Sequence, residues 1–102
     1  MNPPYAQRAI QHFADNLVGE IEAGHVTAAI ALTNDCTDTQ WFQRLVRAAQ
    51  GVSFPVGRIR FYSPRGDLAN PAQGQALFYF GDDFRRFETV FGDAGVVLRG
   101  QR

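Results

Sequence analysis

An almost unbroken apolar stretch constrains the fold of this chain more than any other feature. It covers residues 26–32 and reads V-T-A-A-I-A-L. A strand with water on one face alternates apolar and polar side chains, whereas this run suits a strand buried on both faces, as in a parallel sheet. The preceding residues, 6–23, carry apolar side chains three or four positions apart, which predicts an amphipathic helix ending at Gly24. A helix followed by such a strand points to an α/β fold.

The remaining segments continue the alternation of helices and strands. A polar turn at 33–39 leads into a second predicted helix at 38–50, which Gly51 ends, and Thr37 with Gln40 has capping-box spacing. Further along, we predict short strands at 52–54 and 58–61, a Pro- and Gly-rich loop at 63–74, a strand at 75–80, a helix at 82–91 and a strand at 96–98. The strands that flank the loop suggest an antiparallel hairpin at the edge of a parallel sheet.

Length and composition restrict the class of protein. The 102 residues suffice for one small domain, residues 1–102, and 45% hydrophobic with 20% charged residues is typical of soluble globular proteins. The net charge is zero, so no global field indicates nucleic acid or a membrane, although a local basic patch can still bind DNA. All ten basic residues are Arg, which suits bidentate phosphate contacts but also follows from a GC-rich genome, the interpretation that we favour.

The sequence carries no signal for export or for a membrane. No basic segment followed by an apolar one opens the chain, and no run approaches the ~18 apolar residues of a membrane span. The single Cys36 cannot form an internal disulfide and is more typical of a small buried residue than of a nucleophile. We therefore expect a cytoplasmic protein with no membrane partner and no metal site.

The tetrapeptide N-P-P-Y at residues 2–5 is the most chemically specific feature. Two prolines hold the chain extended and leave the carbonyls of Asn2 and Pro3 to accept hydrogen bonds, and the Asn2 side chain adds an amide oxygen. Two acceptors at a fixed spacing can hold both protons of an exocyclic amino group, while Tyr5 offers a face for a planar base, worth ~1–3 kcal/mol. The pattern suits methylation of an amino group; prolines that merely begin a helix are the structural alternative.

With three downstream segments, N-P-P-Y resembles the phage-type adenine-specific DNA methyltransferases. Their catalytic motif is Asp, Asn or Ser, followed by Pro-Pro and an aromatic residue. The resemblance runs from Asn2 to about Gly81, through A-I-A-L-T-N-D-C-T-D-T-Q-W-F-Q-R-L at 29–45, G-R-I-R-F at 57–61 and P-A-Q-G-Q-A-L-F-Y-F-G at 71–81. It implies a Rossmann-like methyltransferase sheet in three α/β/α layers, S-adenosyl-L-methionine as methyl donor and double-stranded DNA as substrate.

The resemblance also assigns roles to the tetrapeptide. Asn2 and Pro3 would accept from the adenine amino group, Pro4 would hold the turn, and Tyr5 would stack on an adenine flipped out of the duplex. The family's cofactor-binding strands precede this motif, whereas here only Met1 does, and the chain has no glycine-rich strand-to-helix turn. We therefore expect the C-terminal part of such an enzyme, with cofactor-binding residues unassigned and activity of this chain alone left open.

Five further residues are candidates for contact with DNA. Asn34 and Asp38 follow the apolar strand, where ligands bind in open α/β sheets, although a helix cap explains them about equally well. An arginine cluster on the predicted hairpin and its loop could bind phosphates or could protect an edge strand; it comprises Arg58, Arg60 and Arg65. By contrast, Trp41 and Phe42 are expected in the core.

Two other functions stay open at this point. N-P-P-Y also occurs in methyltransferases that act on protein glutamine or on RNA. Alternatively, the chain is a non-catalytic fragment that binds DNA or a partner chain, and its DNA affinity would then fall as salt rises.

Overall fold

A computed structural model describes residues 7–57, 61–62, 68–69 and 74–100. The described elements, in chain order, are α1 (Gln7–Glu22), β1 (Ala29–Asn34), α2 (Gln40–Ala48), β2 (Gly51–Pro55), β3 (Phe61–Tyr62), β4 (Leu68–Ala69), β5 (Gln75–Phe80), α3 (Phe84–Phe91) and β6 (Gly95–Arg99). The predicted mixture of helices and strands is confirmed, and the three helices lie where the sequence places them to within two residues at each end.

The main sheet has four strands in the order β1-β5-β2-β6, and each described pairing is antiparallel. The prediction of adjacent parallel strands is therefore wrong. β5 lies between β1 and β2 and runs opposite to both, so those two strands point the same way without touching. The apolar run gave a wrong prediction because small side chains hide its alternation: Ala31 and Thr33 are fully buried, whereas Ile30, the neighbour of Ala31, is 39% exposed.

The predicted hairpin between 58–61 and 75–80 is also wrong. β3 pairs with β4, which lies inside the stretch predicted as a loop, and they form a separate two-stranded sheet. Phe61 opposes Ala69 and Tyr62 opposes Leu68. The pairing is local, because only five residues separate β3 from β4 in the sequence, and local closure costs less chain entropy than a longer loop.

Helices cover both faces of the main sheet, which gives three layers. On one side, the α1/α2 face, the buried side chains of Val18 and Leu45 pack in one cluster with Phe78 of β5. On the other side, the α3 face, the Phe87 ring stacks on Tyr79 with centroids 5.1 Å apart. Successive residues of a strand point to opposite faces, so β5 supplies both cores. The predicted three-layer arrangement is thus present, around an antiparallel sheet.

The end of α1 follows from Gly24. This residue has φ of +79°, which glycine adopts at little cost. The Gly24 N–H donates to the Ile21 carbonyl at 3.1 Å, and the His25 N–H donates to the Glu20 carbonyl at 2.9 Å. These two bonds are those of a Schellman motif. The predicted stop at Gly24 is confirmed.

Both predicted ends of α2 need correction. The N-cap is Thr39, not Thr37: the Thr39 hydroxyl accepts from the Phe42 N–H at 3.3 Å. At the other end, Gly51 opens β2 and does not end the helix. A Cβ at Gly51 would lie 2.8 Å from the Phe84 ring, so glycine is needed there for the close approach of α3 to the sheet.

Candidate functional site

The edge of the sheet where β1 ends is the candidate site. β1 and β2 point the same way and are joined through α2, so their carboxyl ends lie at one edge. Ligands of open α/β sheets bind at this edge, in the loops that follow the strands. Here the loop after β1 is the polar turn of residues 35–39, and it contains or adjoins both described candidates for DNA contact, Asn34 and Asp38.

Hydrogen bonds fix this turn against the start of β5. The Asp35 N–H donates to the Gly74 carbonyl at 3.0 Å, and the Thr37 N–H donates to the Asp35 carbonyl at 2.8 Å. The Thr39 hydroxyl donates to the Cys36 carbonyl at 2.8 Å, in addition to capping α2. The Asp35 carboxylate also occupies the space that a Cβ at Gly74 would need. These contacts therefore hold the turn of residues 35–39 in a defined conformation.

Asn34 lies beside Gln75, a glutamine that could reach a base edge but that is not among the five candidates for contact with DNA. It opposes Gln75 at the last rung of the β1–β5 ladder, so the two carboxamides lie side by side on the α3 face. Gln75 is buried and Asn34 is half-buried. A carboxamide offers two donors and two acceptor lone pairs, which can read a base edge or a backbone group. The signal that could have located Gln75 is its position at the first residue of the most strand-like segment.

Asp38 lies elsewhere. It is exposed and lines a groove of about 630 Å³ between α1 and α2, which Asn34 does not line. The structure therefore places the two candidates at the same edge of the sheet without bringing them into one pocket.

The groove between α1 and α2 is not a phosphate-binding surface. Among its described lining residues are three carboxylates, of Asp15, Glu22 and Asp38, against the guanidinium groups of Arg44 and Arg47. One of those cations is already paired, since the Arg44 Nε lies 3.0 Å from an Asp15 carboxylate oxygen. Both partners are about half-exposed, and such pairs contribute only ~0.2–1 kcal/mol. The described part of this surface gives no positive field toward DNA.

Several predicted site residues lie outside the described ranges. These are the catalytic tetrapeptide Asn2, Pro3, Pro4 and Tyr5, and the arginine cluster Arg58, Arg60 and Arg65. Their assigned roles stay predictions.

The thiol of Cys36 is not activated. Burial raises its pKa above the ordinary value, and the neighbouring carboxylates of Asp35 and Asp38 raise it further. The reactive form of cysteine is the thiolate, so a raised pKa keeps this side chain protonated and unreactive at neutral pH. Cys36 is half-buried against the α1/α2 core, which is less burial than the sequence suggested.

A second depression, of about 490 Å³, lies where α3 begins, and the sequence did not indicate it. Its polar groups are used to hold the turn that precedes α3. The Gly81 N–H donates to the Gln50 side-chain oxygen at 2.9 Å, and the Asp83 N–H donates to the Tyr79 hydroxyl at 2.8 Å. At its rim the Arg99 guanidinium lies 5.2 Å from the centre of the Phe84 ring. These contacts account for the depression as part of the packing of α3.

The described residues contain no group of three or more His, Cys, Asp or Glu side chains placed to hold a metal ion. None of the described helices has the length and apolar character to cross a membrane. Comparison of the chain with protein-family models, with curated proteins and with solved structures found no match.

Proposed function

We propose that this chain is the C-terminal, target-binding part of an adenine-specific DNA methyltransferase with a Rossmann-like fold. The reaction is transfer of a methyl group from S-adenosyl-L-methionine to the exocyclic amino group of adenine. The observation that carries the proposal is that α1 begins at the candidate edge of the sheet, one residue after N-P-P-Y.

The direction of α1 follows from the lengths of the elements. α1 has 16 residues, ~24 Å at 1.5 Å per residue, and the six residues of β1 span ~20 Å. A connection of residues 23–28 joins them, so α1 runs back along β1 and its first turn lies near the carboxyl end of that strand. α2 starts after the same strand end and lies alongside α1, as the contact between Asp15 and Arg44 at 3.0 Å requires.

This position gives the tetrapeptide a target-binding role in the proposal. In the sequence, residues 2–5 are separated from Gln7 by Ala6 alone, and the proposal assigns their role to the edge where Asn34 and the polar turn lie. There the Asn2 side chain and the Pro3 carbonyl would accept the two amino protons of adenine, which would leave the lone pair of the amino nitrogen exposed. Pro4 holds the turn, and Tyr5 stacks on the flipped base.

The described residues do not fit a cofactor site. Two described turns lead from a strand into a helix, at residues 35–39 and 81–83. The first contains no glycine, and in the second the Gly81 N–H is already bonded to Gln50. A phosphate or carboxylate cradle needs free N–H groups at such a turn. We therefore assign no described residue to S-adenosyl-L-methionine.

In the proposal, DNA contacts divide between two parts of the chain. Asn34, supported by Gln75, faces the substrate from the end of β1, and Asp38 borders it from the turn. Backbone phosphates are bound by Arg58, Arg60 and Arg65, because the described groove between α1 and α2 carries more acidic than basic groups.

A substrate panel tests this proposal. Radiolabelled S-adenosyl-L-methionine would be incubated with this chain, and separately with the longest reading frame that contains it, in the presence of unmethylated duplex DNA, RNA or a glutamine-containing protein. We expect label in DNA adenine with the longer product. Label only in RNA or in protein glutamine would contradict the DNA assignment. DNA binding that weakens with salt, without any methyl transfer by either product, would favour a non-catalytic role instead.

A further inference from the structure

Within the described part of the chain, the outer strand β6 presents an exposed apolar edge. Among the described strands its one neighbour is β2. Val96 is 61% exposed and Leu98 is 53% exposed, and both lie on the α1/α2 face at the end of the sheet that those helices do not cover. Val56, which is 86% exposed, extends the same patch along β2. Edge strands are usually protected from pairing with another chain by charged side chains, proline or a bulge. In β6 the one charged residue is Arg99 at its end, and the register with β2 has no bulge.

The backbone groups that face outward from β6 can be identified. The Val56 N–H donates to the Ala94 carbonyl at 2.7 Å, and the Gly100 N–H donates to the Gln50 carbonyl at 2.8 Å. Because alternate residues of a strand face the same neighbour, Val96 and Leu98 also bond toward β2. The N–H and C=O groups of Gly95, Val97 and Arg99 therefore point away from the sheet.

We infer that β6 pairs with the β6 of a second copy of this chain, antiparallel, about a two-fold axis through Val96. In this register the outward N–H and C=O groups of Gly95 bond to those of Val97 in the second copy. Arg99 ends β6, and Asp93 lies two residues before β6 begins, in the turn that follows α3. Each is three positions from Val96, so each end of the new ladder brings a carboxylate near a guanidinium. The exposed Val96 side chains oppose each other, and Leu98 opposes Ala94.

Charge complementarity favours this register and a second copy of the chain as the partner. An axis through Val97 would also align the outward backbone groups, but it would place Arg99 opposite Gly95 and leave Asp93 unmatched. Two-fold dimers are the commonest assemblies of identical chains, and they need a self-complementary surface such as this one. The interface is a single pair of short strands, so we expect a weak dimer, as for other interfaces of small area.

Cross-linking tests the register directly, in a chain whose own thiol has been removed by Cys36→Ser. Opposed residues of a non-hydrogen-bonded pair have Cα atoms about 4.5 Å apart, which is within the range of a disulfide. Val96→Cys should therefore give an oxidised dimer, whereas Leu98→Cys should not, because the two copies of residue 98 are displaced by about 13 Å along the strands. Combining Ala94→Cys with Leu98→Cys should restore cross-linking.

Sedimentation of the full chain gives an independent readout. Val97→Pro removes an outward donor that β2 does not use, so it should leave thermal unfolding within a few degrees of the parent and abolish the dimer. Arg99→Asp should weaken the dimer at least tenfold, and adding Asp93→Arg should restore it. Arg86→Asp, an equal change of charge on the exposed side of α3, should leave it unchanged.

The inference would be overturned by a chain that sediments as a monomer at every concentration up to its solubility limit. It would equally be overturned if Leu98→Cys cross-linked as fast as Val96→Cys, since the copies would then meet in another register or through another surface.

Discussion

Replacing Ser53 by alanine should stabilise this protein. Ser53 lies in β2, between Leu77 of β5 and Val97 of β6, and it is fully buried. Its hydroxyl has no hydrogen-bond partner among the described residues. A buried polar group without a partner loses its bonds to water on folding and gains nothing in return, which makes the unfolded state relatively more favourable.

The magnitude follows from two opposing effects. Removing an unsatisfied hydroxyl raises the free energy of unfolding by ~1–3 kcal/mol. The alanine leaves a space the size of one oxygen atom, smaller than a methyl group, and this space reduces the gain by less than ~1 kcal/mol. We expect Ser53→Ala to raise the free energy of unfolding by about 1 kcal/mol. For a chain of this length that corresponds to a Tm increase of roughly 4–8 °C.

Thr33 provides the matched control. It is as fully buried as Ser53, but its hydroxyl donates to the Asn34 carbonyl at 2.8 Å. Thr33→Val should therefore lower the free energy of unfolding by ~0.5–1.5 kcal/mol. Urea unfolding followed by circular dichroism measures both variants. If Ser53→Ala destabilises the chain as much as Thr33→Val does, the Ser53 hydroxyl has a partner and the reasoning is refuted.

Three further predictions follow from local geometry. Gly51→Ala should lower the free energy of unfolding in urea by ~1–3 kcal/mol, because its Cβ meets aromatic rings of α3. Gly19→Ala, which has open space around it in α1, should raise that free energy by ~0.5–1 kcal/mol. Equal effects of the two substitutions would contradict the packing of α3 on the sheet. Thr39→Ala should lower stability by ~1 kcal/mol through loss of the α2 cap, and Thr37→Ala should change it by less than half of that. If Thr37→Ala had the larger effect, Thr37 would be the N-cap, as the sequence predicted. The pKa of Cys36 is raised in the folded chain, so its stabilising contribution is complete below the thiol's unfolded pKa and is lost as the pH rises through the folded pKa. Its labelling by a thiol reagent should accordingly accelerate only at alkaline pH, and rapid labelling at pH 7 would contradict this account.

Periodicity located the helices because their apolar faces are wide and their ends carry strong local signals. Gly24 stops α1 through a backbone conformation that glycine adopts easily, and this is visible in the sequence. The cap of α2 was misplaced by two residues because several polar residues in the turn can serve as caps. The hydrogen bonds from Thr39 to both Cys36 and Phe42 decide the choice, and they depend on the folded turn.

Strand pairing could not be predicted from the sequence, because it depends on contacts between distant segments. A buried run such as 26–32 indicates a strand in the interior without stating which neighbour it has or in which direction that neighbour runs. The insertion of β5 between β1 and β2 is a long-range choice of this kind. For the same reason the proximity of Gln75 to Asn34 appears only in the folded sheet. The roles of residues 2–5 rest on the N-P-P-Y motif and on the family resemblance of the sequence, and they stay predictions.

The measurement that tests the central claim most directly is the N6-methyladenine content of DNA treated with the longest reading frame containing this chain. Mass spectrometry of the released nucleosides would compare the parent with Asn2→Ala and with Asn16→Ala, an exposed asparagine on α1 that serves as control. The account predicts methylated adenine with the parent and with Asn16→Ala, and a loss of about 100-fold or more with Asn2→Ala, as for removal of one hydrogen-bonding group that acts on the transition state. Equal methylation by all three, or methylation of no adenine at all, would contradict it.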